Sequence, residues 1–147
     1  MTTQAQIEAI RKSVTVNVPV EQAFRTFTDD IASWWPLSTH SYGGEKATAA
    51  VFEGREGGRM YERQEDGTEA DWAEVTAWEP PHRFLLDWKI CPSEVEVRFT
   101  AQGDGVTRVD LEHRGWDRAG EGAAAIRENY SGGWDHVLGK FVSGTKS

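Results

Sequence analysis

The chain has 147 residues and a formal net charge of −8, and it contains seven Trp, six Phe and three Tyr. This length predicts a single domain over residues 1–147, and so many large apolar side chains argue against disorder. The acidic balance disfavours nucleic acid and anionic membrane surfaces as partners, and no apolar run approaches the roughly eighteen residues of a membrane span. The N-terminus has no apolar signal segment, and the lone Cys91 excludes an intramolecular disulfide, so we expect a cytoplasmic protein.

The N-terminal part of the chain predicts one strand followed by two short helices. Residues 12–18 alternate between polar and apolar side chains, which is typical of a half-buried strand. Pro19 fits the first position of a helix that extends to Phe27. A second short helix follows from Ile31, and Pro36 ends it.

The middle of the chain predicts a loop and then a series of strands. Residues 37–46 have no periodic pattern, and a loop of this length in a compact domain is often functional. We expect six strands after it, at residues 47–53, 59–64, 68–78, 84–90, 95–101 and 107–113. The short turns between these strands imply an antiparallel sheet, one face of which needs a cover.

Residues 122–142 have the longest helical pattern in the chain. Their apolar side chains recur every three or four positions and so share one side of a helix: Ile126, Tyr130, Trp134, Val137, Leu138 and Phe141. About twenty residues with a rise of 1.5 Å each give a rod of roughly 30 Å, enough to cover the sheet. Gly132 and Gly133 lie in its middle, and Gly133 either permits a close approach by a strand or leaves space for a ligand. A curved sheet that grips one helix tends to enclose a cavity.

Motifs for metals, nucleotides and serine hydrolases are absent from the sequence. His40, His82, His113 and His136 have no HxH or HExxH spacing, and Cys91 has no cysteine partner, so no metal or other cofactor is expected. There is no GxGxxG, GxxxxGK[ST] or GxSxG sequence. No histidine is placed beside Cys91, which favours an ordinary turn cysteine over a nucleophile.

Three polar residues are candidates for orienting a ligand in the cavity. By alternation His113 faces the helix, either as a hydrogen-bonded core histidine or as a polar group that points into the cavity. Glu74 shares a strand face with Trp72 and Trp78, either at a solvated rim or as a buried anchor, although the small residues between them compete for the inward face. His40, in the long loop, either lines the mouth of a cavity or is exposed.

Several aromatic residues are predicted to converge between the sheet and the last helix. These are Trp35, Trp72, Trp88, Tyr130 and Trp134. They either fill the space as core or stand clear of one another as the walls of a pocket.

A set of motifs spanning nearly the whole chain carries a family resemblance. They are VTVNVPVEQAFRTF (14–27), WWP (34–36), GGRMYE (57–62), WAEV (72–75) with WEPP (78–81), VEVRF (95–99), LEHRGW (111–116), and Gly133-Trp134 with Val137, Leu138 and Phe141. In this order they resemble the SRPBCC or START-like superfamily, and within it the branch named after the activator of heat-shock-protein-90 ATPase, homologue 1-like. The resemblance implies an α+β helix-grip fold (START-like or Bet v 1-like) with a ligand cavity. Superfamily members include lipid carriers, metabolite binders, cyclases and oxygenase subunits, but the metal ligands of the oxygenases are absent here.

The leading hypothesis from the sequence is a binding protein for a small hydrophobic or aromatic molecule. The predicted ligand-binding residues are Trp35, His40, Trp72, Glu74, Trp88, His113, Tyr130, Gly133 and Trp134. One alternative is a cyclase, dehydratase or hydrolase that uses His113 or Glu74 as general acid or base. Another is a protein-interaction module that regulates a chaperone ATPase, which needs an exposed apolar patch around residues 34–42. The sequence is compatible with a homodimer and with a protein partner.

Overall fold

The computed structural model describes residues 8–36, 46–89, 93–116 and 122–145. Its elements are β1 (Ile10–Val16), α1 (Val20–Phe27), a 3₁₀ turn (Ile31–Ser33), β2 (Ala47–Phe52), β3 (Arg59–Gln64), β4 (Glu69–Glu79), β5 (Arg83–Trp88), β6 (Ser93–Gly103), β7 (Val106–Arg114) and α2 (Ala123–Gly144). The strands form a curled antiparallel sheet in the order β1-β7-β6-β5-β4-β3-β2. The first strand therefore pairs with the last, which leaves β1 and β2 at the two edges.

The inner face of the sheet packs against α2. The buried residues of this helix recur at helical spacing and include Trp134, Val137, Leu138 and Phe141. Between them and the inward side chains of the strands lies one continuous apolar core, which α1 also contacts. A curled sheet around a C-terminal helix is the predicted α+β helix-grip fold, and this prediction is confirmed.

Most predicted elements differ from the structure by one or two residues at their ends, and the first strand and the second helix differ more. The first strand begins at Ile10 and ends at Val16, because the fully buried Ile10 pairs with β7 while the chain bends after Val16. The second predicted helix is only a 3₁₀ turn over Ile31–Ser33, although Trp34 and Trp35 are buried as its apolar pattern implied. Ile90 and Cys91 lie outside the described residues.

Two irregularities in β4 decide which of its side chains face inward. The pairing with β3 skips Trp72, and the pairing with β5 skips Thr76. Each skipped residue shifts the alternation by one, as a β-bulge does. Trp72 and Ala73 are consequently both buried, whereas Glu74 points to the exposed outer face. The prediction that Glu74 shares a face with Trp72 and Trp78 was wrong, because strict alternation does not hold across a bulge.

The glycines of α2 differ in their surroundings. A Cβ atom on Gly132 would have no atom within 4 Å, so no close approach explains this residue. Gly133 is half-buried. A close approach occurs at the end of the helix, where a Cβ on Gly144 would lie 2.8 Å from the Cβ of Trp34. Glycine there lets α2 contact the segment that follows the 3₁₀ turn.

Glu96 is a buried carboxylate on the outer face of the sheet. It accepts hydrogen bonds from Arg114 Nη1 at 2.7 Å and Arg98 Nε at 2.9 Å, and also from Arg83 Nε. Burial alone would raise the pKa of Glu96, but the three guanidinium hydrogen bonds outweigh it and lower the pKa to about 2. The carboxylate thus ties β5, β6 and β7 together on the side opposite α2.

Glu96→Gln is expected to lower the free energy of unfolding by about 1–2 kcal/mol, because the three guanidinium groups lose a negatively charged acceptor and one of its two oxygens. Urea unfolding at pH 7 measures this loss. Glu112→Gln is the matched control, since the Glu112 side chain is 30% exposed and its ion pairs are screened by water. A loss for Glu112→Gln as large as that for Glu96→Gln would contradict the role given to Glu96.

Candidate functional site

His113 lies at the centre of the candidate site, near the end of β7. Its ring is fully buried and lies 4.1 Å from the Trp116 ring and 5.1 Å from the Tyr130 ring, measured between centroids. The indole Nε1 of Trp134 is 3.0 Å from His113 Nδ1, and Ser93 Oγ is 2.7 Å from His113 Nε2. The imidazole therefore links α2, which carries Trp134, to β6, which carries Ser93.

These contacts fix the tautomer of His113. An indole N–H can only donate a hydrogen bond, so Nδ1 of His113 accepts and carries no proton. The neutral ring then carries its proton on Nε2 and donates it to Ser93 Oγ. Ser93 is consequently not deprotonated by His113, and the pair does not form an activated serine nucleophile.

Burial also holds His113 in its neutral form. Removal of the ring from water lowers the pKa of His113 to about 3, since the buried imidazolium would lack hydration. The imidazole therefore stays uncharged at neutral pH, and both ring nitrogens are engaged in hydrogen bonds within the protein. Its part in the site is to position Trp134 and Ser93.

The predicted aromatic residues do converge between the sheet and α2. The Trp35 ring lies 5.0 Å from that of Trp72 and 6.2 Å from that of Trp134. The Trp88 ring lies 5.8 Å from that of Trp134, and its Nε1 donates to the Tyr130 hydroxyl at 3.0 Å. We call these five residues, together with Trp116, the tryptophan end of the core.

The other end of the core is almost purely apolar. Six phenylalanines and Trp78 contact one another there in edge-on or tilted geometry: Phe24, Phe27, Phe52, Phe84, Phe99 and Phe141. We call this set the phenylalanine end. The two ends are separated along β5, where Phe84 and Trp88 are both buried four positions apart. Buried polar side chains that contact aromatic rings, such as His113, belong to the tryptophan end.

Glu62 is a second buried titratable residue at the tryptophan end. It lies on β3 and is fully buried. Its Oε1 accepts a hydrogen bond from Trp72 Nε1 at 2.8 Å, and its Oε2 accepts one from Gln64 Nε2 at 3.1 Å. A buried carboxylate is a group that can recognise a polar atom of a ligand.

The structure brings together most, but not all, of the predicted site residues. Trp35, Trp72, Trp88, Tyr130 and Trp134 belong to the tryptophan end, and His113 contacts its rings. Glu74 lies outside it on the outer face, and Gly133 is a half-buried residue of α2. His40 lies outside the described residues.

Three residues at or beside the tryptophan end were not among the site residues predicted from the sequence. Ser93 precedes the alternating pattern of its strand, and Trp116 follows the predicted end of β7. Glu62 lies within the predicted strand 59–64 but was not singled out, and its inward position follows from its pairing with the buried Ala50. Alternation with Met60, which is buried, was the signal that could have identified Glu62.

The residues that the structure describes include no group of three or more His, Cys, Asp or Glu placed to hold a metal ion. Among the same residues, no helix combines the length and the apolar character needed to cross a membrane. The polar groups of the described site are indole, imidazole, hydroxyl and carboxylate groups.

The curled sheet, the long C-terminal helix and the polar groups buried among aromatic rings define a helix-grip domain of the SRPBCC type. A family model described as "Activator of Hsp90 ATPase homolog 1-like protein" matches residues 17–144. The chain belongs to this family. A comparison with curated proteins gave no match.

Solved structures similar to this chain carry several different functional descriptions. An anthrahydroquino-γ-pyrone synthase, Txn09, is 36% identical, with 95% of this chain and 97% of the other covered and a TM-score of 0.67. The self-sacrificing resistance protein CalC from Micromonospora echinospora is 28% identical, with coverage of 95% and 94% and a TM-score of 0.69. An HSP90 activator from Plasmodium falciparum is 22% identical, with coverage of 89% and 91% and a TM-score of 0.61, and this likeness concerns the fold alone.

Proposed function

We propose that the chain binds a small, planar aromatic molecule at the tryptophan end, between the sheet and α2. The observation that carries the proposal is the joint presence there of indoles in contact with one another and two buried polar side chains, His113 and Glu62. The indoles would form the walls, and the polar groups would orient the ligand. We also propose a cytoplasmic location, on the sequence grounds given above.

Contacts among the indoles indicate why a planar aromatic ligand suits this site. The Trp35 and Trp72 rings meet at 36°, and the Trp35 and Trp134 rings meet almost at right angles. A flat aromatic ligand that enters between such rings replaces ring–ring contacts by ring–ligand contacts of the same kind. An aliphatic ligand of equal size would bury the same area but would not make aromatic ring–ring contacts. This comparison favours the aromatic class.

Titration with 2,6-dimethoxyanthraquinone is expected to quench the tryptophan fluorescence in a saturable manner. Trp35→Leu should weaken binding by about tenfold, because a stacking contact of about 1.4 kcal/mol is lost. Trp78→Leu is the matched control, since it removes one indole from the phenylalanine end and should leave the affinity unchanged. Quenching that does not saturate, or equal weakening by both variants, would count against the proposal.

An enzyme that uses the same site is the second candidate function. It is favoured by the 36% identity to a synthase over nearly the full length of both chains. Within the described site, His113 is a poor general base because Nδ1 accepts from Trp134 and Nε2 carries the proton. Catalysis would therefore involve other groups, of which Glu62 is the buried carboxylate among the rings.

A protein-interaction module is less well supported by the described residues. That hypothesis needs an exposed apolar patch that begins at Trp34, but Trp34 and Trp35 are both buried. The remainder of that predicted patch, residues 37–42, lies outside the described residues. Co-purification with a chaperone, lost on mutation of a surface residue, would restore this hypothesis.

A further inference from the structure

The outer face of the sheet carries a groove on the side opposite α2. It has a volume of about 460 Å³ and is formed by β1, β6 and β7. Three carboxylates and four arginines line it, the arginines being Arg11, Arg98, Arg108 and Arg114. Lys12 also borders the groove, but its ammonium group pairs with Asp135 of α2. The arginines thus exceed the carboxylates by one charge, which is a local reversal of sign in a chain of net charge −8.

Three of these arginines are oriented by the carboxylates and keep free hydrogen-bond donors. Each is held through its Nε atom, at 3.1, 2.9 and 3.0 Å respectively: Arg11 by Glu112, Arg98 by Glu96 and Arg108 by Asp110. Among the described residues, the terminal Nη1 and Nη2 atoms of these three side chains have no hydrogen-bond partner. The side chains are 71%, 63% and 53% exposed. We call these three residues the groove arginines.

The free edge of each groove arginine is a ready site for an oxyanion. The Nη1 and Nη2 atoms of a guanidinium group form a fork that matches two oxygens of a carboxylate or a phosphoryl group. Since the ion pairs within the groove use Nε, an anion can bind at the fork without breaking them. The carboxylates of the groove therefore position the donors and do not compete for them.

The spacing of the groove arginines favours phosphoryl groups over a single carboxylate. In the strand register, Arg98 lies opposite Asp110, while Arg108 and the partner of Arg11 lie on either side of Asp110 along β7. Neighbouring strands are about 4.8 Å apart, so the three residues spread over roughly 10 Å across the strands. One fork saturates a carboxylate, whereas a phosphoryl group has further oxygens that can accept from a second guanidinium group. A pair of linked phosphoryl groups can thus engage all three forks.

We propose that the groove arginines bind a pair of linked phosphoryl groups, as found in pyrophosphate and in diphosphate esters. This site lies on the opposite side of the sheet from the tryptophan end and shares no residue with it, so it goes beyond the function proposed above. The acidic chain as a whole does not attract anions over long range. Binding therefore has to come from direct contacts, and the affinity should depend on individual arginines.

Isothermal titration calorimetry with sodium pyrophosphate, at about pH 7.5 and constant ionic strength, tests the proposal. Pyrophosphate should bind saturably and at least about tenfold more tightly than citrate, a carboxylate anion of similar charge. Arg98→Gln and Arg108→Gln should each weaken pyrophosphate binding by about tenfold, because each removes charge-assisted hydrogen bonds. Near-UV circular dichroism should show that both variants are folded, since both side chains are more than half exposed.

Arg55→Gln is the matched control. It removes the same charge from a side chain that is 68% exposed and pairs with Glu53, between β2 and β3 at the other end of the sheet. The affinity for pyrophosphate should therefore be unchanged. Weakening as large as that in Arg98→Gln would mean that only the overall charge matters, and it would overturn the proposal.

ADP distinguishes the two sources of the phosphoryl pair. Binding of ADP that Arg98→Gln weakens assigns the groove to diphosphate esters, and binding of pyrophosphate alone assigns it to the free ion. No saturable binding of either probe, or citrate binding as tight as that of pyrophosphate, would overturn the proposal. Because the groove and the tryptophan end are separate, none of these outcomes decides whether an aromatic ligand binds.

Discussion

Lowering the pH from 7.5 to 4.5 is expected to reduce the free energy of unfolding by about 3 kcal/mol through His113 alone. The pKa of His113 is lowered to about 3 in the folded protein, against 6.5 for an unperturbed histidine. Below pH 6.5 the unfolded chain therefore binds a proton that the folded chain does not bind. Stability falls as the pH falls, by up to about 1.4 kcal/mol per pH unit, until the pH reaches the folded pKa. Urea unfolding at the two pH values measures the difference.

His113→Gln separates this effect from the titration of other groups. Gln can accept from Trp134 and donate to Ser93, but it does not titrate, so most of the difference between pH 7.5 and 4.5 should vanish. His82→Gln, at an exposed position, should retain the wild-type difference. Glu96 acts in a separate window, because its lowered pKa of about 2 makes it lose stabilisation only as the pH falls from about 4.5. An unchanged pH difference in His113→Gln would show that His113 is not buried in its neutral form.

Periodicity was sufficient to predict most of the fold from the sequence. The helical spacing of Trp134, Val137 and Phe141 identified α2 and its inner side, and the alternation in β6 and β7 placed His113 facing the helix. These patterns are robust because burial on one face selects every second residue of a strand and every third or fourth residue of a helix. They fail where the backbone is irregular, as at the β4 bulges that turn Glu74 outward.

Only part of the candidate site could be predicted, because its polar members depend on partners that are distant in sequence. The convergence of Trp35, Trp88 and Trp134 followed from the element order. The buried position of Glu62 depends on cross-strand pairing with Ala50, and the tautomer of His113 depends on an indole from another element. Alternation with Met60 indicates the inward side of Glu62, but no local pattern encodes the partners themselves, because residues of the same types on exposed strands look identical in the sequence.

The division of the core into two ends separates the requirements for stability from those for recognition. The six phenylalanine rings of the phenylalanine end have no hydrogen-bonding groups, so they contribute through packing and burial. At the tryptophan end, the indoles of Trp72, Trp88, Trp116 and Trp134 each donate to a polar atom of the protein. Rings that are fixed in orientation by hydrogen bonds are suited to present defined faces to a ligand.

Phe27→Ala is accordingly expected to lower the free energy of unfolding by about 3–5 kcal/mol, which is a large part of the stability of a typical domain. The Phe27 ring is buried at the phenylalanine end and lies 4.9 Å from the Phe141 ring and 5.6 Å from the Phe84 ring. Its removal leaves a cavity where α1, the sheet and α2 meet. Phe27→Leu retains most of the volume and should cost less than about 1.5 kcal/mol. Urea unfolding of the three proteins measures both losses.

Phe27→Leu and Trp35→Leu together test whether the two ends of the core are independent. Because Phe27 lies outside the tryptophan end, Phe27→Leu should bind 2,6-dimethoxyanthraquinone as tightly as wild type despite its lower stability. Trp35→Leu should change the affinity for the probe more than Phe27→Leu does. If Phe27→Leu weakened probe binding by as much as Trp35→Leu does, the ligand would have to reach into the phenylalanine end, and the division of the core would be wrong.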